Sequence, residues 1–332
     1  MQALVTGGGG FLGQYVVEQL LDAGNHVRVF CRGSYESLNR NGVEVVRGDV
    51  RDADALAAAC EEIEAVFHIA AIVGIWGQWE TYHSTNTVGT YHVIEGCRQA
   101  GVRRLVYTSS PSVIFDGSDH RNADESLTYP RTWMCHYPRS KALAEQAVLQ
   151  ANDDSLRTIS LRPHLIWGPR DSHLIPRLIQ KAQSGRLRRV GNGTNIVSVS
   201  YVENAAAAHL QAEESLRRSD RAAGQAYFVN EPDSVNLWCW IDELLALFNL
   251  PPIQNSMSAR SAHCIGLMME LLWKVLPGEP LMTRFLASQL SRSHSYSIRA
   301  AQRDFGYMPV CSMVEGMERL RKHLTEPPLR RS

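Results

Sequence analysis

The chain has 332 residues, 44% of them hydrophobic, and its 34 Lys and Arg balance its 34 Asp and Glu. That is enough apolar material for one large domain or two smaller ones and excludes a disordered chain, while the balanced charge argues against a nucleic-acid partner held by bulk positive potential. The seven cysteines, at 31, 60, 97, 135, 239, 264 and 311, form no CxxC pair and no Cys/His cluster at ligand spacing, so a reducing compartment and no metal are expected.

Met1 leads into the apolar run ALVT rather than into a charged leader with an apolar core, which predicts a cytoplasmic protein. No segment approaches the ~20 apolar residues that cross a bilayer. The first half then alternates β-branched runs with helical stretches. ALVT is followed by a helix through VVEQLLDAG, then HVRVFC, VEVVRGD, the helix ADALAAAC, AVFHIAA, a helix through NTVGTYHVIEGCRQAG, RLVYTSS, a helix opened by Pro138, and RTISLRP. Strands that are apolar throughout, separated by helices, predict a parallel sheet covered on both faces, with ligands beyond the carboxyl ends of its strands.

Past residue 165 helices dominate: LIPRLIQKAQSG, VENAAAAHLQAEESL, LWCWIDELLALF, CIGLMMELLWKVL, LMTRFLASQL and MVEGMERLRKHL, with strand-like pieces only at NIVSVSYV and AYFVN. The expected fold is therefore α/β, a Rossmann-like doubly wound parallel sheet with a smaller, mostly helical C-terminal substrate region. Residues 1–165 would bind the cofactor and carry the catalytic groups, and 166–332 would bind the substrate, interleaved with the first part because no linker separates them.

Between the first strand and first helix lies TGGGGFLG, with glycines at 7, 10 and 13. Such glycines permit a tight turn and let a pyrophosphate approach the backbone amides of a helix N-terminus. The acid that usually closes the second strand and receives the adenosine ribose is absent: HVRVFC ends in Cys31 and is followed by Arg32. A guanidinium pairs with a 2′-phosphate, so NADP(H) is favoured, with NAD(H) the second choice if Arg32 only stacks on adenine. Asp49, in RGDV, is a candidate for the adenine amino group or an ordinary turn cap.

At HYPRSKALAE, Tyr137 and Lys141 share one face of a helix's first turn. A phenol titrates near ~10, and an ammonium nearby would stabilise its anion. With the glycine loop, HIAA (68–71), YTSSPSV (107–113), LRPHLIWGP (161–169), YVENAAAAH (201–209) and FGYMP (305–309), this stretch resembles an extended short-chain dehydrogenase/reductase. Within that superfamily the chain is similar to the 3β-hydroxysteroid and sterol-4-carboxylate dehydrogenases. Through GIWGQW, EPLMTRFLASQL and QRDFGY it also resembles the 2-alkyl-3-oxoalkanoate reductases of bacterial long-chain olefin biosynthesis.

The resemblance implies Tyr137 as acid/base, Lys141 as its activator and Ser110, with Ser109 and Ser112 as rivals, as the hydroxyl that holds the carbonyl oxygen. It places Pro163 beside the nicotinamide and Ala70 and Ala71 where a cofactor must lie close. Phe11 and Leu12 in the glycine loop and Val50 beside Asp49 complete the cofactor set, while Asn86 is expected to be structural.

The implied reaction interconverts a β-keto acid and a β-hydroxy acid on a large apolar body, most directly by reducing a 2-alkyl-3-oxoalkanoate. The alternatives are a sterol-acid or hydroxysteroid dehydrogenase, a nucleotide-sugar epimerase or dehydratase, and a non-enzymatic NADP(H) sensor. Trp76 and Trp79 in IVGIWGQW and the segment 264–276 are candidates for an apolar channel wall; 264–276 is equally a candidate core helix or peripheral membrane or pathway-enzyme contact. His164, Arg170 and Arg284 are candidates for holding a carboxylate. A homodimer is expected from the resemblance.

Overall fold

The apolar runs of the first half become parallel strands: β1 (Gln2–Thr6), β2 (His26–Cys31), β3 (Val43–Arg47), β4 (Ala65–His68) and β5 (Arg104–Thr108). The computed structural model describes residues 1–35, 38 and 43–325. Two later strands widen the sheet, whose order is Gln225–Val229, Arg157–Pro163, β5, β4, β1, β2, β3. Every neighbouring pair is parallel.

Alternate residues of the inner strands feed opposite cores, which is why those strands read as largely apolar, whereas β3 at the sheet's edge is mostly exposed. Ala3 and Val5 pack with α1 (Phe11–Asp22) and the helix Val202–Arg218, whereas Leu4 packs with α2 (Ala53–Ala59) and two longer helices. Those are reached through a short α3 (Trp79–Tyr82) and a π-helical turn (His83–Val88), which lead into α4 (Gly89–Ala100); α5 (His136–Gln150) follows β5. The chain reverses its winding between β1 and β4, so a crevice opens at their carboxyl ends.

AYFVN is not an isolated strand: it lies beside Arg157–Pro163 as the sheet's edge. NIVSVSYV divides in two. Ile196–Val197 joins Val235–Asn236, His294–Tyr296 and His120–Ala123 in a four-stranded sheet, while Ser200–Tyr201 pairs with Ile166–Trp167. Residues past 165 thus supply a strand and a helix to the large sheet layer, and residues 120–123 supply a strand to the small one.

The segment 264–276 is not a buried core helix. The helix runs Ala259–Leu272, capped by Ser258, whose hydroxyl accepts from Ser261 N at 3.0 Å. Only its Ala262 and Gly266 are buried, and a Cβ at Gly266 would come within 2.7 Å of Arg284 N, so one small-residue stripe presses on the helix Arg284–Ser291. The opposite face is open, with Met268 60% and Leu271 57% exposed. Among the described residues no helix is long and apolar enough to cross a membrane.

Candidate active site

Close approach explains the glycine loop. Gly7 has φ +73°, and a Cβ there would sit 2.8 Å from the backbone of Ala70; one at Gly13 would sit 2.2 Å from Gly7 O. Thr6 fastens the two crossing segments, because its hydroxyl donates to His68 Nδ1 at 2.7 Å and accepts from Ala70 N at 3.3 Å. α1 opens at Gly10, which has no side chain to occupy the first amides of the helix. The result is a backbone cradle whose own residues add no side chain at Gly7, Gly10 and Gly13, the donor chemistry that a dinucleotide pyrophosphate requires.

Except for Ser112, one of the two rivals to Ser110, the residues read from the sequence as cofactor or catalytic candidates line one groove of 440 Å³. Gly7, Gly10, Phe11, Leu12 and Gly13 form its floor, Arg32, Asp49 and Val50 one end, and Ala70, Ala71, Ser110, Tyr137, Lys141 and Pro163 the other. Arg32 is exposed at the end of β2, with no carboxylate in that strand. Asp49 is held by Arg51, which reaches it at 2.7 and 3.0 Å and lowers its carboxyl below the usual range.

Tyr137 and Lys141 do follow each other along α5. Burial pushes the Tyr137 phenol up to about 12, against a hydrogen bond from Ser110 that lowers it. Ser112 sits behind Ser110 and donates to its Oγ from both N, at 3.2 Å, and Oγ, at 3.0 Å. With both of these bonds accepted, the Ser110 hydroxyl keeps its own proton to donate. Lys141 differs from expectation. Its ammonium donates to Thr108 O and lies 4.2 Å from the centre of the Tyr107 ring, and burial lowers it to about 7 while Glu145 opposes the drop. In this arrangement the group that draws the phenol down is Ser110, because the lysine, one turn further into the core, is committed to β5.

Asn86 is structural, as expected. Its amide oxygen accepts from Ile72 N at 2.8 Å, and its Nδ2 donates to Ile72 O and to Ser140 Oγ, each at 3.0 Å. Ser140 in turn donates to Tyr137 O at 2.8 Å, so the loop after β4 and the first turn of α5 are fastened together.

The substrate-side expectations need correction. His164 lies outside the groove, buried, with its Nε2 2.6 Å from His294 Nδ1, and burial holds it far below the usual histidine range; it offers no cation to a carboxylate. Arg170 is taken by Glu18 in two 2.8 Å contacts, and Arg284 by Glu270 at 2.7 Å. Trp76 does line a cavity, one of 620 Å³ beside the groove. Its walls include Ile75, Trp76, Tyr82, Trp133 and Met134, and three cations, Arg131, Arg139 and Lys274, border it. Tyr82 stands on the side toward the groove, its ring centre 6.5 Å from that of Tyr137 and its hydroxyl donating to Trp76 O at 2.8 Å.

Two functional neighbours escaped the sequence reading. Tyr35 lies across the glycine loop, where a Cβ at Gly9 would meet its ring at 2.2 Å; the signal was the surplus glycine in TGGGG. Glu145, one turn past Lys141, is fully buried with Arg162, and an acid at that spacing on an otherwise buried helix face was the available clue.

A sequence model of the 3-beta hydroxysteroid dehydrogenase/isomerase family matches residues 4–253. The chain is 45% identical to a 2-alkyl-3-oxoalkanoate reductase of Stenotrophomonas maltophilia over 326 residues, covering 97% of this chain and 98% of that protein. It is 34% identical to a sterol-4-alpha-carboxylate 3-dehydrogenase, decarboxylating, of Mus musculus, covering 95% and 88%. Among solved structures, MoeE5 in complex with UDP-glucuronic acid and NAD superimposes with a TM-score of 0.75 at 25% identity, over 98% of this chain and 99% of that one.

Proposed function

This chain belongs to the 3-beta hydroxysteroid dehydrogenase/isomerase family, and on that premise we propose that it is an NADP(H)-dependent ketoreductase that converts a 2-alkyl-3-oxoalkanoate to the corresponding 3-hydroxy acid. It is an NAD(P)-dependent oxidoreductase acting on a CH–OH/C=O pair; the substrate and the cofactor preference are the further step. The observation that carries the step is the convergence of Ser110, Tyr137 and Lys141 at the end of the groove that begins at the glycine loop.

The cradle around Gly7, Gly10 and Gly13 would hold the pyrophosphate, Arg32 the 2′-phosphate, and Pro163 and Ala71 would border the nicotinamide. A bound nicotinamide cofactor supplies the hydride. Tyr137 supplies the proton: with its phenol held near 12 it is fully protonated at neutral pH, the form that reduction needs at the carbonyl oxygen. Ser110 holds the same oxygen as charge develops on it. Lys141 keeps an ammonium, partly ionised near neutrality, at the base of the phenol's helix.

The substrate class is supported by the name of the 45% identical relative and by the apolar cavity beside Tyr82. A sterol acid, named for the 34% identical relative, presents the same β-related oxygen and carboxylate on an apolar body and is the second reading. The nucleotide-sugar reading, drawn from solved structures of the same fold, is less well served by walls of Ile75, Trp76, Trp133 and Met134. The deciding experiment follows NADPH oxidation with a 2-alkyl-3-oxo fatty acid beside a steroid ketone and a UDP-sugar. Turnover confined to either of the latter two would remove the proposal.

A further inference from the structure

Three cations border the cavity beside Tyr82 without an ion pair among the described residues: Arg131 on the loop before α5, Arg139 in its first turn, and Lys274 beyond the helix Ala259–Leu272. The one carboxylate in the lining, Glu270, is already committed to Arg284, donating nothing and accepting from both its N and Nε at 2.7 Å. The cavity therefore carries an uncompensated positive field between apolar walls, and a low-dielectric wall concentrates such a field on whatever enters.

Arg139 is exposed but supported on one side. Its guanidinium lies 4.3 Å from the centre of the Trp79 ring, and Trp79 is itself packed against His83 at 4.9 Å and His136 at 5.7 Å between ring centres. A guanidinium stacked by its face keeps its in-plane N–H groups free, the geometry that receives a carboxylate through two hydrogen bonds. The position fits the chemistry. Cys135 and His136 in the cavity wall run directly into Tyr137, and Ile75–Gly77 continue the segment Ala70–Val73 that borders the groove. An acid whose oxo group is two carbons from its carboxyl needs its anion close to the proton donor but outside the dinucleotide cradle.

We infer that Arg131, Arg139 and Lys274 form an anion site that binds the carboxylate of the apolar substrate, with Arg139 the gripping residue and Trp79 its support. The inference rests on the function proposed above in taking the anion to be a carboxylate on an apolar acid rather than a diphosphate. The apolar walls favour the former, since a nucleoside diphosphate would bring a polar sugar and base into contact with Trp76, Trp133 and Met134.

The test separates binding from turnover. Calorimetric affinity would be measured for a 2-alkyl fatty acid lacking the oxo group and for its methyl ester, on wild type, Arg139→Gln and Arg131→Gln/Arg139→Gln. The expected result is that the acid binds wild type at least tenfold more tightly than the ester and that the double variant loses this preference while its affinity for the ester stays within twofold. Equal losses for acid and ester would assign the arginines a structural role and overturn the inference, as would an unchanged preference or a UDP-sugar that displaces the acid and binds more tightly. NADPH oxidation with the 3-oxo acid is run in parallel. Loss of the preference without wild-type turnover would leave the anion site standing and remove the catalytic reading, and turnover with an unchanged preference would do the reverse.

Discussion

Arg162 grips Glu145 twice in the core, Nη2 to Oε1 at 2.6 Å and Nε to Oε2 at 3.0 Å, where the glutamate has no solvent exposure. Tyr129 and Ser160 donate to the same carboxylate at 2.7 and 2.8 Å, so both oxygens are saturated. Burial pushes Glu145 up, but Arg162 and the hydrogen bonds to the carboxylate together outweigh it and the group stays ionised. Removing one partner of such a pair strands the other charge, at a cost of about 3–5 kcal/mol. Glu145→Gln is accordingly expected to lower the denaturation midpoint sharply, and Glu145→Gln/Arg162→Met to recover much of the loss. Chemical denaturation of the three proteins checks both; a double variant no better than the single would show that the pair is worth more than a satisfied apolar contact.

Lys141 gives a prediction with a definite sign. Its folded-state value, about 7, lies below the ordinary 10.5, because burial disfavours the charged form. Between those two values the unfolded chain binds more protons than the folded one, so wild-type stability rises as pH increases through that window. The handicap of the buried ammonium is greatest at and below pH 7 and absent above about 10.5. Lys141→Met should therefore be inactive yet more stable than wild type at pH 6–7, with the difference shrinking as pH is raised. A difference that is constant with pH would show that the ammonium is not strained by burial.

The phenol works the other way along the pH axis. With Tyr137 near 12, reduction should be insensitive to the phenol between pH 6 and 9, whereas oxidation of the 3-hydroxy acid, which needs the phenolate, should accelerate with pH. Ser110→Ala removes the hydrogen bond that lowers the phenol, so it should slow both directions and displace the oxidative profile to still higher pH. Tyr137→Phe should keep dinucleotide affinity and lose nearly all turnover. Rates in both directions across that pH range test the three statements together.

What the sequence disclosed follows how local each cause is. The parallel sheet, the glycine loop and the first turn of α5 are contiguous signals, and the strands β1 to β5 fall where apolar runs mark them. NIVSVSYV was opaque because it changes partners at Ser198, whose N–H donates to His294 O at 3.2 Å, a contact 96 residues away that no local pattern announces. The carboxylate candidates failed for the same reason: His164, Arg170 and Arg284 were weighed without their partners His294, Glu18 and Glu270. Arg131, Arg139 and Lys274 meet only because the helix Ala259–Leu272 folds back beside α5, so nothing short of the fold could group them.

The proposed preference for NADP(H) rests on Arg32, which is exposed just past the end of β2, with Asp49 the carboxylate that feels its charge. Arg32→Asp should weaken NADPH and improve NADH, the ratio of the two kcat/KM values moving by more than the roughly tenfold that ~1.4 kcal/mol represents. An unchanged ratio would remove the case for the 2′-phosphate.

Two glycines of the same loop should respond differently to a single added methyl group. At Gly13 the new Cβ would lie 2.2 Å from Gly7 O and 2.8 Å from Gly8 Cα, both backbone atoms that cannot step aside without opening the turn. Overpacking of this kind costs about 1–3 kcal/mol, and here it also deforms the pyrophosphate cradle. At Gly9 the obstacle is the ring of Tyr35, met at 2.2 Å, and a side chain 38% exposed to solvent can rotate away. Gly13→Ala should thus lose stability and dinucleotide affinity with no second-site remedy. Gly9→Ala should lose mainly affinity, by displacing Tyr35 into the groove, and Gly9→Ala/Tyr35→Ala should regain part of it. Equilibrium dialysis of the dinucleotide against these four proteins, with Tyr35→Ala as the reference, distinguishes the two clashes: if the double variant binds no better than Gly9→Ala, the ring is not what the loop's surplus glycine accommodates.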